Sequence, residues 1–253
     1  MLLLVLCLQV ELRPSYADEQ VLASDPVPIR TTSDSTMFPA SWRKAPISAS
    51  GKKLDAAQHE RALKIVGEAL RKYPARVIEQ NLDAVYLLSN LSYSGVSTSG
   101  TNSRTVVYVT VDSPRRGFTD QHIEAVFHAE FSSILLRNFP SDFDATAWLA
   151  ACPEGFEYLG NGVDAIKQNK SSLRSDTKLH SAGFLRQYAQ STMENDFNGF
   201  AAFLFSGDKA TWEIVQSHPR LKQKLNITLN FFQKIDPALT QDYFEGLHQE
   251  RRK

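Results

Sequence analysis

The sequence predicts an α+β fold: a helix-rich domain with a small sheet to one side of a central helix. Three observations predict it. One strong amphipathic helix precedes two β-rich runs, a long apolar-patterned segment follows them, and beyond an irregular insert only helical patterning remains. Residues 18–50 are rich in Pro, Ser, Thr and Ala without a sustained period, and read as a linker or extended arm. Over Asp55–Tyr73, Leu63, Val66 and Leu70 share a helical face with Ala62, Ile65 and Ala69, and Pro74 stops the helix. Asp83–Leu91 and Thr105–Val111 are strand-forming runs, separated by a Gly/Ser/Thr/Asn segment over 92–103 that is long for a tight hairpin. The next helix starts at Thr119 or Asp120, either of which can cap it, and runs to about Asn138, before Pro140. Residues 140–181 are the least regular. Ala182–Gln190 and Ser191–Phe205 are helical in pattern, with Ser191 and Glu194 in capping-box spacing. A helical region over Lys209–Phe232 and another over Asp236–His248 close the chain.

The chain has 253 residues, and its 28 Lys and Arg balance its 28 Asp and Glu. That balance leaves no global charge to attract nucleic acid or an anionic membrane. The opening MLLLVLCLQV with Ser15-Tyr16-Ala17 reads as a signal peptide over 1–17, too short for a stable span, and implies a secreted or periplasmic protein. Leu6 before Cys7 is too large for a good lipoprotein cleavage site, so a lipid anchor at Cys7 is not expected. Removal of the leader leaves Cys152, which has no partner for a disulfide and reads as an inert core thiol. The domain proper is expected over 51–253.

The central helix carries the chemistry. Over Ile123–Leu136, at about 100° per residue, Ile123, Val126, Phe127, Phe131 and Ile134 share one face. Glu130 points into that face, and a carboxylate there must be paired, protonated or holding a ligand. A structural role for Glu130, bonded to a hydroxyl, backbone or Arg, stands beside a catalytic one. Ala129 and Ser133 occupy the places where a His-Glu-x-x-His motif would carry its two histidines.

The order of helix, small sheet, glutamate-bearing helix and then Tyr188 before an acidic helix start resembles gluzincin zinc metallopeptidases, particularly their lethal-factor-like branch. The residues that carry the resemblance are VFHAEFSSILL and YAQSTMENDFNGFAAFLF, within roughly Asp55–Phe232. The resemblance implies a zincin-like fold, with Glu130 as the base that activates water and Tyr188 as an oxyanion stabiliser. It places the zinc ligands at Ala129, Ser133 and Asn195, so the motif is degenerate: a methyl cannot bind metal, and a hydroxyl and an amide are weak zinc donors. Glu130 and Tyr188 are expected to face a common cleft lined by Ala129, Ser133 and Asn195.

Two readings follow. In the first, the protein lacks the standard zinc site, holds no cofactor, and binds a peptide or protein in the old cleft as a pseudoenzyme. In the second, it is an active zinc metallopeptidase with non-standard ligands drawn from His128, Glu194 and Asp196. His128 projects about 160° from Glu130 on a regular helix, so that set needs a break in the helix. An α+β structural protein unrelated to peptidases is a third reading. Serine hydrolase, P-loop and paired-cysteine zinc motifs are absent from the sequence.

Overall fold

The longest strand, β4 (Ala84–Tyr93), organises the molecule. In the computed structural model, which describes residues 18–160, 162–167, 172 and 175–250, it pairs directly with β2, β3, β5 and β7 in one continuous sheet. β1 (Gln20–Ala23) runs antiparallel to β2 (Ile29–Thr31), and β2 lies parallel to the first half of β4. β3 (Ser50–Lys53) and β5 (Val96–Ser97) pair antiparallel with its second half. On the other side β7 (Val106–Thr110) is parallel to β4, and β6 (Gly100–Asn102) adds antiparallel to β7 as the edge. The path is therefore β1-β2-β4-β7-β6.

Alternation along the strands assigns each face. Val85, Leu87, Val107 and Val109 point to the helical side and join the main core. Tyr86, Leu88 and Tyr108 point the other way, where Met37, Phe38 and Ala49 cover them. The stretch 18–50 thus supplies three strands or strand starts and a small second core. Its strands are only four and three residues long and flanked by Pro26 and Pro28, too short to show an alternating pattern. The apolar leader expected over 1–17, with Cys7, lies outside the described residues.

The helical side is built around α3 (Asp120–Asn138). Thr119 caps it through its side chain, which accepts from His122 N. α1 (His59–Leu70) and α2 (Ala75–Asn81) precede it, and α1 packs on it beside β7. Within the insert are three short helices, α4 (Ala145–Ala150), α5 (Gly162–Lys167) and α6 (Thr177–Ser181). α7 (Met193–Ser206) packs against α3 more extensively than any other pair of elements meets. α8 (Lys209–Ser217), α9 (Pro219–Ile235) and α10 (Gln241–Glu250) complete the layer behind α7.

Three expectations are corrected. The region 209–232 is two helices, because Pro219 starts a new one and has no N–H to continue the old. Residues 182–190 form turns and a single 3-10 turn at Gln187–Gln190 instead of a helix. The cap of α7 is Thr192, which accepts from Asn195 N, and Ser191 instead donates its hydroxyl to Tyr188 O. No helix of the described residues is long and apolar enough to cross a membrane.

Candidate functional site

Glu130 lies on the flank of α3 that meets the edge strand. Ile123, Phe127, Phe131 and Ile134 fill the core beneath it, each fully buried, while Val126 and Glu130 face β6. Gly100 of β6 comes so close that a Cβ there would lie 2.5 Å from Val126 Cγ1 and 2.9 Å from Glu130 Cγ. Only glycine lets the strand approach the helix this closely.

One residue pair along, Asn102 Nδ2 donates to Glu130 Oε2 at 2.5 Å, and Arg137 donates to the Asn102 side-chain oxygen. Arg137 also pairs with Glu194 on α7, at 2.8 Å. Burial pushes the Glu130 carboxyl up to about 7; the Asn102 bond pulls it down, and the nearby Glu194 charge pushes it up. At neutral pH this side chain is poised between acid and base.

Tyr188 reaches the same place from the 3-10 turn before α7. Burial and then the charge of Glu130 push its hydroxyl up to about 12, while the Asn195 side chain hydrogen-bonds it and opposes the rise. Asn195 also donates through Nδ2 to Ser191 Oγ at 2.8 Å. The structure therefore brings Glu130, Tyr188, Asn195 and Glu194 together between α3, β6 and the start of α7.

It does not bring His128 or Asp196 there. His128 is fully buried on the far side of α3, with Nδ1 3.0 Å from Tyr73 Oη and Nε2 3.7 Å from Glu124 Oε1, stacked on Phe205. The regular helix carries it around, as its angular offset from Glu130 predicts. Asp196 is fully buried on the opposite side of α7. Its Oδ2 accepts from Lys224 Nζ at 2.5 Å, Tyr158 Oη at 2.7 Å and Trp148 Nε1 at 3.1 Å. Lys224, equally buried, lies over the rings of Phe184 and Trp148.

The two positions that would carry motif histidines are tied together instead. Ser133 is buried, and Asn198 of α7 lies 2.6 Å from its hydroxyl. With the Asn198 carboxamide oriented to accept from that hydroxyl, its NH2 donates to the carbonyls of Ala129 and Glu194, each at 3.2 Å. Asn198 is thus a staple between α3 and α7 at the place where the motif would hold metal.

Does this donor set fit zinc? Ala129 offers nothing, Ser133 is spent on Asn198, and Asn195 is spent on Ser191 and Tyr188. Among the described residues no group of three or more His, Cys, Asp or Glu side chains is placed to hold a metal ion. The described residues do not fit the zinc that the resemblance implies.

Asn102, Asn198, Gly100 and Arg137 did not emerge from sequence reasoning. The one available signal was Gly100 within a Ser/Thr/Asn-rich segment beside a strand, a mark of close backbone approach.

No family model matches the chain, and no curated protein matches it. Among solved structures, a 2.10 Å crystal structure from Bacteroides caccae ATCC 43185 is similar to it, with a TM-score of 0.54 and 18% identity, covering 79% of this chain and 78% of that one. That protein is described as a "putative zinc-binding metallo-peptidase". The likeness defines the class of fold: α+β and zincin-like, with the sheet on one side of the central helix α3.

Proposed function

We propose that this chain is a secreted or periplasmic metallopeptidase-like protein of gluzincin, lethal-factor-like descent that lacks the standard zinc site. It holds a peptide or protein segment in the cleft around Glu130 as a pseudoenzyme. The observation that carries this reading is the fate of the three ligand positions. Ala129 cannot ligate, and Ser133 and Asn195 are weak donors committed to Asn198, Ser191 and Tyr188, yet Glu130 and Tyr188 remain together. A protonated Glu130 and the Tyr188 hydroxyl are two donors suited to main-chain carbonyls of an extended polypeptide.

The zinc-enzyme alternative has one observation on its side: Glu194 is near enough to act on the Glu130 carboxyl. Its weakness is that Glu194 pairs with Arg137, while His128 and Asp196 point away.

The test is equilibrium binding of fluorescein-labelled β-casein, an unfolded polypeptide, followed by anisotropy with the full chain. Saturable binding without cleavage, weakened by Glu130→Ala and by Tyr188→Phe, is the expected result. Cleavage of the casein that stops on adding a chelator would replace this reading with the zinc enzyme.

A further inference from the structure

The cleft has a second end. On α3, His122, Val126 and Glu130 follow one another at successive turns along one side of the helix. All three meet the edge of the sheet. Val126 and Glu130 lie against Gly100, and His122 Nε2 is 3.0 Å from Ser99 Oγ. Thr110 N donates to Ser99 O at 2.7 Å and fixes that residue, while Phe118 stands edge-on to the His122 ring. The half-buried imidazole is thus held about 12 Å along the helix from Glu130, at 1.5 Å per residue.

Arg186 is the facing group. Phe184 and Leu185 are buried and anchor the chain. Extended backbone then turns the exposed Arg186 side chain outward, two residues before Tyr188. The Arg186 charge acts on His122, just as the Glu130 charge acts on Tyr188. Two rungs therefore join α3 to the stretch 186–190: Glu130 with Tyr188, and His122 with Arg186. Burial, and then the Arg186 charge, hold the His122 pKa below its ordinary value, so the ring is neutral at pH 7 beside a permanent cation.

That cation is short of an anion. The guanidiniums of Arg30, Arg61, Arg76, Arg116 and Arg137 each pair with a carboxylate of the chain, whereas that of Arg186 has no ion pair among the described residues. An incoming carboxylate would meet its fork of N–H donors and would favour protonation of His122, which adds another donor. The chain carries as many acidic as basic residues, so a preference for anions here is local and not a pull of the whole protein.

Resting on the peptide-cleft reading, we propose that Arg186 and His122 form a carboxylate-binding subsite of the cleft. It selects polypeptides that carry an acidic side chain, or end in a free carboxylate, about four residues from the segment lying at Glu130, since an extended chain rises about 3.3 Å per residue.

The test is calorimetric titration of the full chain with three unlabelled peptides of one neutral sequence. The first is blocked at both ends with a central glutamine, the second has glutamate there, and the third is the glutamine peptide with a free C-terminal carboxylate. A carboxylate-bearing peptide is expected to bind about three- to tenfold tighter than the blocked glutamine peptide, as suits a partly exposed charge-assisted contact. The gain should shrink as salt is raised. A gain confined to glutamate makes an acidic side chain the source, and one confined to the free end makes it the chain terminus. Arg186→Gln is expected to abolish the gain, Arg186→Lys to keep part of it, and Arg186→Glu to turn it into a penalty. The side chain is exposed, so none of these changes touches the core.

Equal affinities for all three peptides, or a gain that survives Arg186→Gln, overturn the subsite and leave the cleft reading in place. A gain that depends on Arg186 while Glu130→Ala and Tyr188→Phe leave binding unchanged keeps the subsite and overturns the cleft reading. Binding of none of the peptides by the parent overturns both.

Discussion

Asn198 lies 2.6 Å from the Ser133 hydroxyl and joins α7 to α3 across the two positions that a zinc-binding motif would need for metal. With its carboxamide set to accept from Ser133, the same side chain caps the carbonyls of Ala129 and Glu194. An internal hydrogen-bond bridge thus does the joining that a shared metal does in an intact site.

If that bridge holds the helices together, Asn198→Ala should cost about 2–3 kcal/mol, because it leaves the buried Ser133 hydroxyl without this partner and removes the extra bond to two helical carbonyls. Ser133→Ala, which removes one partner only, should cost about 1 kcal/mol. Urea denaturation of the two variants measures both. Equal and negligible costs would show that α3 and α7 are held by their apolar contacts alone.

Glu130 should make stability fall with rising pH across the acid-to-neutral range. Its folded pKa, about 7, lies above its ordinary value of 4.5. Between those values the folded state holds a proton that the unfolded state has lost, so the contribution is full below 4.5 and is lost as pH rises through 7. Glu130→Gln keeps a partner for Asn102 and cannot ionise. It should raise the melting temperature above the parent's at pH 8 and leave the two alike near pH 4. A glutamine variant less stable than the parent at pH 8 would contradict this. A site kept at such a cost points to selection for function over stability.

The ion pair on the other side of α7 should behave differently from a surface pair. Asp196 and Lys224 are both fully buried. Asp196→Asn or Lys224→Met alone should cost about 3–5 kcal/mol, since each leaves a lone buried charge. The double variant Asp196→Leu/Lys224→Met should recover much of that loss. Costs that simply add in the double variant would show that the two groups do not act as a pair.

The sequence made the broad architecture legible through periodicity. The faces of α1 and α3, the strands β4 and β7, and the stops at Pro74 and Pro140 could all be read from residue types. What escaped was set by tertiary contact. β1 and β2 are too short to carry a pattern, and the 3-10 turn under Tyr188 replaced a helix because Gly183 and the returning insert redirect the chain. Within the site, Glu130 could be singled out from the periodicity of its helix, and Tyr188 only from the resemblance to gluzincins. Asn102 and Asn198 could not, because an asparagine's meaning depends on which carbonyl or carboxylate faces it, and those neighbours lie 28 and 65 residues away.

Repair of the ligand set should restore metal affinity. Ala129→His, Ser133→His and Asn195→Glu together supply two imidazoles and a carboxylate beside Glu130, the donors zinc prefers. Ser133 is buried against Asn198, so the triple variant should gain zinc affinity and the addition of Asn198→Ala, which makes room, should increase it further. Calorimetric titration at neutral pH measures both steps. Activity need not follow, since it also requires partners that orient such ligands. A triple variant with no more affinity than the parent would show that the cleft is not a former zinc site.

The most direct measurement is the zinc content of the parent chain, purified without chelators and read by inductively coupled plasma mass spectrometry. The account predicts zinc far below stoichiometric, with no increase after dialysis against micromolar zinc. Zinc near one equivalent, lost on Glu194→Ala, would contradict it and make this protein an enzyme with a relocated metal site.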